Sequence, residues 1–227
     1  TNRLHGRVTR LYLTPLIRSL QQVAGSHPLL TFLDSFRYPL AGEFAMVRDL
    51  AWINRVPGDW VLEVGVLSEI YRNCALRRIC QADIADAYEH KHQGLSADNA
   101  EQGLQKMCVD ITKSLFRNLA SEGVVLSEAV LKTLRATYLQ TAQEAITRYQ
   151  NDAAINSLQF DRHEERMAVE VFLKGMKIAT EAFLDDPLGV PMISNWSRVT
   201  GAIPDIFERL IGAVERDHEW DPVGDRV

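Results

Sequence analysis

No stretch of this 227-residue chain approaches the roughly 20 consecutive apolar residues that a membrane-crossing helix requires. Nor does any segment show the basic-then-apolar layout of a secretory signal, so a cytoplasmic protein with no membrane partner is expected. Cysteine is scarce. Cys74, Cys80 and Cys108 are odd in number, lie in apolar surroundings and form no C-x-x-C pair, which excludes a disulfide framework or a zinc knuckle and leaves buried thiols as the expectation. An excess of positive charge is missing too: 25 lysines and arginines face 30 acids, for a net charge of −5. That balance excludes a broad nucleic-acid footprint. The basic residues Arg3, His5, Arg7 and Arg10 form a local patch, suited to a small anion. Internal repeats and low-complexity tracts are also absent.

What remains is an ordinary globular composition, 46% hydrophobic and 24% charged, long enough for one large or two small domains. Organisation changes near residue 95, which sets expected units of 1–95 and 96–227. In the first, helices are interrupted by Pro15, Pro28, Pro39 and Pro57 and interleaved with brief strands, at Glu43-Phe44-Ala45-Met46 and around Ile79, Cys80, Ala82 and Ile84. The second reads as helix throughout. Ser96 is placed to cap a helix carrying Leu104, Cys108, Ile111, Leu115 and Leu119, with Gly123 as its stop. Ser127 caps another, with Val130, Leu134, Tyr138, Ala142, Ile146 and Tyr149 on one face. Asp161 and Glu164 form a capping box for a third, whose stripe runs Met167, Val171, Gly175, Ile178, Ala182. Pro204 opens a fourth, with Phe207, Leu210, Ile211 and Val214 facing inward. The expected class is α+β, predominantly helical. The apolar stripes suit a core or a subunit interface.

Four polar islands interrupt the first unit. Gly6-Arg7-Val8-Thr9 stands where a helix begins, and unpaired backbone N–H groups there, with a glycine, an arginine fork and a hydroxyl, suit a phosphate. The same residues also suit an exposed basic turn capped by Thr9. In Pro39-Leu40-Ala41-Gly42-Glu43, Gly42 admits close backbone approach and Glu43 accepts from sugar hydroxyls, or the pair serves a turn and a helix flank. Asp59-Trp60 follows the turn signal Pro57-Gly58; Trp60 offers an apolar sugar platform, and Glu63 falls in the next helix's first turn, where the dipole favours its ionised form. Glu63 can hold hydroxyls, or simply stabilise its own helix. Glu89-His90-Lys91-His92 puts two histidines at an i, i+2 spacing, which on an extended chain share a face. They are open to a divalent ion or to solvent; no Cys or third His completes a zinc signature.

From Leu4 to about Leu95 the order and spacing of these islands resemble the glucosyl-3-phosphoglycerate synthase family, retaining glycosyltransferases of GT-A fold. The matching stretches are Gly-Arg-Val-Thr-Arg-Leu-Tyr-Leu-Thr-Pro-Leu, Tyr-Pro-Leu-Ala-Gly-Glu-Phe-Ala-Met, Gly-Asp-Trp-Val-Leu-Glu-Val-Gly-Val-Leu and Tyr-Glu-His-Lys-His-Gln. The resemblance implies that Gly6, Arg7 and Thr9 hold the phosphate and carboxylate of 3-phosphoglycerate. Gly42 and Glu43, with Trp60, would line the donor sugar, and Glu63 would be the catalytic acid contacting sugar and acceptor. His90, with His92 as alternative, would ligate a divalent ion, most simply magnesium, on a nucleotide-diphosphate glucose. Val61 and Leu62 stand where relatives often carry glycine, which implies a differently shaped sugar pocket and leaves the hexose open. Mannosyl-3-phosphoglycerate and mannosylglycerate synthases share part of the pattern and stay as alternatives, as do a non-catalytic helical dimerisation module and a sensor of phosphorylated metabolites. A homodimer is expected. The family's Asp-x-Asp metal motif precedes the point matched by Thr1, and no Asp-x-Asp occurs in this sequence. The resemblance therefore implies the C-terminal portion of a GT-A-type glycosyltransferase followed by a helical bundle, inactive by itself.

Overall fold

The computed structural model describes residues 2–84 and 103–219. They form nine α-helices: α1 (Thr14–Ala24), α2 (Pro28–Asp34), α3 (Arg48–Ile53), α4 (Leu62–Asn73), α5 (Gly103–Ser121), α6 (Glu128–Ile155), α7 (Arg162–Asp185), α8 (Trp196–Ala202) and α9 (Ile206–Glu219). A π-helical turn, Thr9–Leu13, runs directly into α1. None of the helices in the described residues is long and apolar enough to cross a membrane. The boundary expected near residue 95, and Ser96 as a cap, lie outside the described residues. One apolar core joins α1, α2 and α4 to α5, α6 and α7.

The long helices begin and end where local chemistry dictates. Ser127 accepts from the Val130 N–H, and Asp161 accepts from the N–H groups of His163 at 2.8 Å and Glu164 at 3.1 Å. The expected box at Asp161 is only half made, because the Glu164 carboxylate turns to Arg7 instead. Gly123, at φ 90°, stops α5 in the left-handed conformation that lets Val124 N–H reach the Leu119 carbonyl at 3.0 Å.

At the centre of the bundle the ring of Tyr12 meets Tyr138 edge-on at 5.6 Å and Phe172 at 5.3 Å. Pro15 explains the π turn beside it. In an α-helix the Leu11 carbonyl would accept from the N–H four residues on, but proline has none and its ring crowds that carbonyl. The helix widens, Thr14 N–H bonds back to Thr9, and the Tyr138 hydroxyl takes the released Leu11 carbonyl at 2.9 Å. Tyr12 likewise donates to the Cys108 carbonyl at 3.0 Å and sits against the Thr112 hydroxyl.

Several expectations are corrected. Among the described residues there is no strand, only isolated bridges from Arg3 to Gln159 and from Val56 to Ile193. Residues 43–47 take no regular structure and make no β-pairing with another described segment, and a strand exists only as a pairing. Residues 79–84 lie against the end of α2 through side chains: Gln81 accepts from Arg37 N–H at 3.0 Å and donates to the Ser35 carbonyl at 3.1 Å. The predominantly helical class is observed. Only Cys108 is a buried thiol; Cys74 is half-buried and Cys80 exposed, because their segment runs along the outside. Of the expected α7 stripe, Val171 and Gly175 are buried, but Met167, Ile178 and Ala182 are outside, and the inner face also carries Ala168, Phe172, Met176, Ala179 and Phe183. Two apolar sets overlap on that helix, and burying the one with two phenylalanines stabilises more. Phe207, Leu210, Ile211 and Val214 of α9 are 42–60% exposed rather than inward. Phe207 stacks on Trp196 at 5.4 Å and meets Trp52 at 5.9 Å, but periodicity defines a face and not what covers it.

Candidate functional site

Three of the four islands converge on the phenol of Tyr38, which stands after α2 at the entrance to the Pro39–Glu43 loop. Gly6 passes beneath its ring so closely that a Cβ there would lie 2.9 Å from Cε2, and Gly6 has φ 70°, so glycine is required twice over. Thr9 brings its buried hydroxyl to the neighbourhood of the phenol from the start of the π turn. Glu43 approaches from the loop and Glu63 from the first turn of α4. Burial pushes the Tyr38 hydroxyl above its ordinary value, the nearby Thr9 side chain opposes this, and the carboxylates of Glu63 and Glu43 add to the rise. The phenol therefore stays protonated at neutral pH, a potential donor in the field of two carboxylates. Such a set matches a ligand rich in hydroxyl groups.

Glu63 sits where expected, in a first turn whose dipole favours a carboxylate. Trp60, 37% exposed, leads into that turn, and its N–H donates to Asp110 of α5 at 3.2 Å. Asp110 is almost fully buried and also receives Lys113 at 2.9 Å and Lys106 at 3.1 Å. Burial raises its carboxyl pKa, but the lysines and the Trp60 N–H outweigh that and hold it below the usual carboxylate range. A second buried acid fixes the other side of the turn. Glu69 of α4 takes both nitrogens of Arg55 at 2.9 Å and Arg72 at 3.0 Å. Here too burial raises the pKa and the arginines more than reverse it.

Gly65 lets this turn close onto α4. A Cβ at that position would stand 2.2 Å from Cγ of Pro57. Gly65→Ala is therefore expected to lower the melting temperature, since about 1–3 kcal/mol of overpacking outweighs the roughly 1 kcal/mol that alanine gains in helix propensity. Thermal unfolding checks this, and an unchanged or higher midpoint would contradict the contact.

Arg7 points away from Tyr38. It bonds Glu165 at 3.1 Å and Glu164 at 3.3 Å, while Arg10, lying over the Tyr149 ring at 4.8 Å, pairs with Glu165 at 3.3 Å. These pairs clamp the start of the chain to the start of α7 beside a 210 Å³ cavity that includes Arg3, Gln159 and Asp161. Gly42 is exposed, with open space where a Cβ would lie, so backbone can approach a ligand there. His90 and His92 lie outside the described residues, and among the described residues no group of three or more His, Cys, Asp or Glu gathers as a metal site.

Sequence reasoning missed Tyr38 and Asp110. Tyr38 carries no periodic signal; it was visible only as the residue heading the Pro39 island. Asp110 had a signal, an acid inside an apolar stripe with lysines at i−4 and i+3.

Compared with known proteins, the chain is 51% identical over 221 residues to a glucosyl-3-phosphoglycerate synthase of Persephonella marina, which covers 97% of this chain and 55% of that protein. It is 41% identical over 215 residues to a glucosyl-3-phosphoglycerate synthase of Methanococcoides burtonii, covering 94% of this chain and 52% of that protein. By sequence, the chain is similar over nearly its whole length to part of two glucosyl-3-phosphoglycerate synthases. It spans about half the length of these curated relatives. No family model and no solved structure matches it. The similarity to these synthases runs through α5, α6 and α7 as well as the islands, so it covers the helical bundle and not only the Tyr38 cluster.

Proposed function

We propose that this chain supplies the acceptor side of a retaining GT-A hexosyltransferase that moves glucose from a nucleotide-diphosphate sugar to the 2-hydroxyl of 3-phosphoglycerate. The observation that carries the reading is the convergence of Gly6, Thr9, Tyr38, Glu43 and Glu63 in a chain half identical to a synthase of that name. On this reading, Glu43 and Glu63 accept from hydroxyls of sugar and acceptor while the protonated Tyr38 donates. Trp60 gives the sugar ring an apolar wall. Their work is orientation, holding the acceptor hydroxyl on the same sugar face as the departing diphosphate.

Arg7 belongs to the anion end, where a phosphate or carboxylate of the acceptor would compete with Glu164 and Glu165 for its fork. Magnesium on the donor diphosphate, which would neutralise the leaving group, is assigned by resemblance to His90, with His92 as the alternative.

The test is a transfer assay with nucleotide-diphosphate glucose and 3-phosphoglycerate. The 227-residue chain alone is expected to show no transfer, and a polypeptide of the relatives' full length to show it. Arg7→Ala in the long form should raise KM for 3-phosphoglycerate about tenfold with little change in kcat, the pattern of lost ground-state binding. Transfer by the chain alone would overturn its half-site role. An unchanged KM in the variant would remove Arg7 from the acceptor seat, and a mannosyl preference would move the family reading to the mannosyl alternative.

A further inference from the structure

A groove of about 710 Å³ between α6 and α7 lies far from the Tyr38 cluster in chain and element. Its walls carry Arg148 of α6 and Arg162 and Arg166 of α7, against one acid, Glu144. The two α7 arginines are four residues apart and so share a helix face.

None of the three is neutralised by a carboxylate among the described residues. Arg7, Arg10, Arg18, Arg37, Arg55, Arg72 and Arg209 make such ion pairs; other arginines such as Arg77, Arg78 and Arg198 make none among the described residues either, but Arg148, Arg162 and Arg166 share one concavity. Arg162 instead donates to two neutral acceptors, the Gln150 side-chain oxygen and the Thr147 hydroxyl, the latter at 3.5 Å. Its fork is thereby oriented with its full charge retained. Arg148 and Arg166 have no hydrogen bond or ion pair within the described residues. Glu144, which accepts from Gln140 at 2.8 Å, is one carboxylate against three guanidinium groups, so the groove is in net positive excess. Gathering like charges in one concavity is unfavourable unless an anion joins them.

We propose that this groove is an anion-binding site separate from the transferase centre, taking a small anion with two phosphate groups. Three guanidinium forks exceed what one carboxylate satisfies, and bidentate pairing suits the several oxygens of a diphosphate. The groove offers no aromatic side chain for a base to stack on, so the diphosphate itself is the recognised part. The inference does not depend on the transferase reading, since Arg7 lies in a different cavity with carboxylate partners of its own.

The experiment is calorimetric titration of the 227-residue chain with pyrophosphate. Saturable binding is expected, with its tightest component weakened at least tenfold by Arg162→Ala with Arg166→Ala, and weakened less by Arg166→Lys, which keeps the charge but loses the fork. Arg209→Ala, on α9 and outside both clusters, should change the affinity less than twofold. Circular dichroism reports whether the double variant keeps its helices; if it does not, Arg148→Gln on the exposed side of α6 gives the same reading through a several-fold loss. Absence of saturation, or equal affinity in the arginine variants, overturns the site. Tighter binding to duplex DNA or to phosphatidylserine-containing vesicles than to pyrophosphate, with the same arginine dependence, would overturn it in favour of a macromolecular surface.

Discussion

Glu63→Gln, placed in a polypeptide of the relatives' full length, is expected to lower kcat for the proposed transfer by about 10²- to 10⁴-fold, the range for a positioned carboxylate acting on a reacting hydroxyl. Glutamine keeps the size and one acceptor oxygen but loses the charge that the α4 dipole favours. Stability should change little, because Glu63 is half-buried and lies at a helix start where no described ion pair depends on it. The same substitution has a readout in the 227-residue chain that needs no catalysis. Glu63 is one of the charges that keep the Tyr38 hydroxyl above its ordinary pKa, so its neutralisation should bring the Tyr38 titration down, followed by tyrosinate absorbance. Tyr38→Phe identifies that signal by removing it. A lowered titration with unchanged kcat would keep the geometry and dismiss the catalytic role; an unchanged titration would dismiss the geometry itself.

The helix ends were legible because each is written in a few adjacent residues. Ser127, Asp161 and Gly123 act on backbone groups three or four positions away, and nothing distant competes with them. Glu164 shows where that logic stops: its local partner was the start of α7, and Arg7, 157 residues earlier, took it instead. Strands at 43–46 and 79–84 failed for a related reason. A β-prone segment states a willingness to pair, while the partner is a property of the whole chain. On α7 and α9 the periodicity was read correctly as helix, yet the phase on one and the covered face on the other depended on what packs opposite. The π turn was in principle readable from Pro15, since a proline there leaves the Leu11 carbonyl without its donor, but the acceptor's rescue by Tyr138 is 127 residues away.

The candidate site divides along the same line. Glu63 in a first helical turn and the turn at Asp59-Trp60 are local and appear as expected. That Gly6, Thr9, Glu43 and Glu63 gather around one phenol is not local, and only the shared order of the islands hinted at it. Arg7 was grouped with Gly6 and Thr9 by adjacency, yet on a helical start successive side chains point in different directions. It faces α7 while Thr9 faces Tyr38.

Asp110→Asn is expected to destabilise the chain by about 3 kcal/mol, toward the low end for a broken buried ion pair, because Lys113 and Lys106 retain partial access to water. For a chain of this length that corresponds to a fall of about 6–12 °C in melting temperature. The pH dependence separates the charge from mere packing. The folded carboxyl titrates below its unfolded value of about 3.9, so the unfolded chain binds more protons between the two. Its stabilisation is therefore complete above the unfolded value and lost as pH falls through the folded one. The gap between wild type and Asp110→Asn should close as the pH drops below about 4, whereas a packing defect would persist. Glu69 shifts in the same direction but is present in both proteins and cancels in the difference. The substitution also weakens the acceptor for the Trp60 N–H, so the turn that delivers Trp60 and Glu63 loosens with it. Hydrogen exchange at Trp60 should accelerate in the variant under conditions where the rest of α5 stays protected. A melting temperature equal to wild type at neutral pH would mean that the lysines and the Trp60 turn do not depend on Asp110.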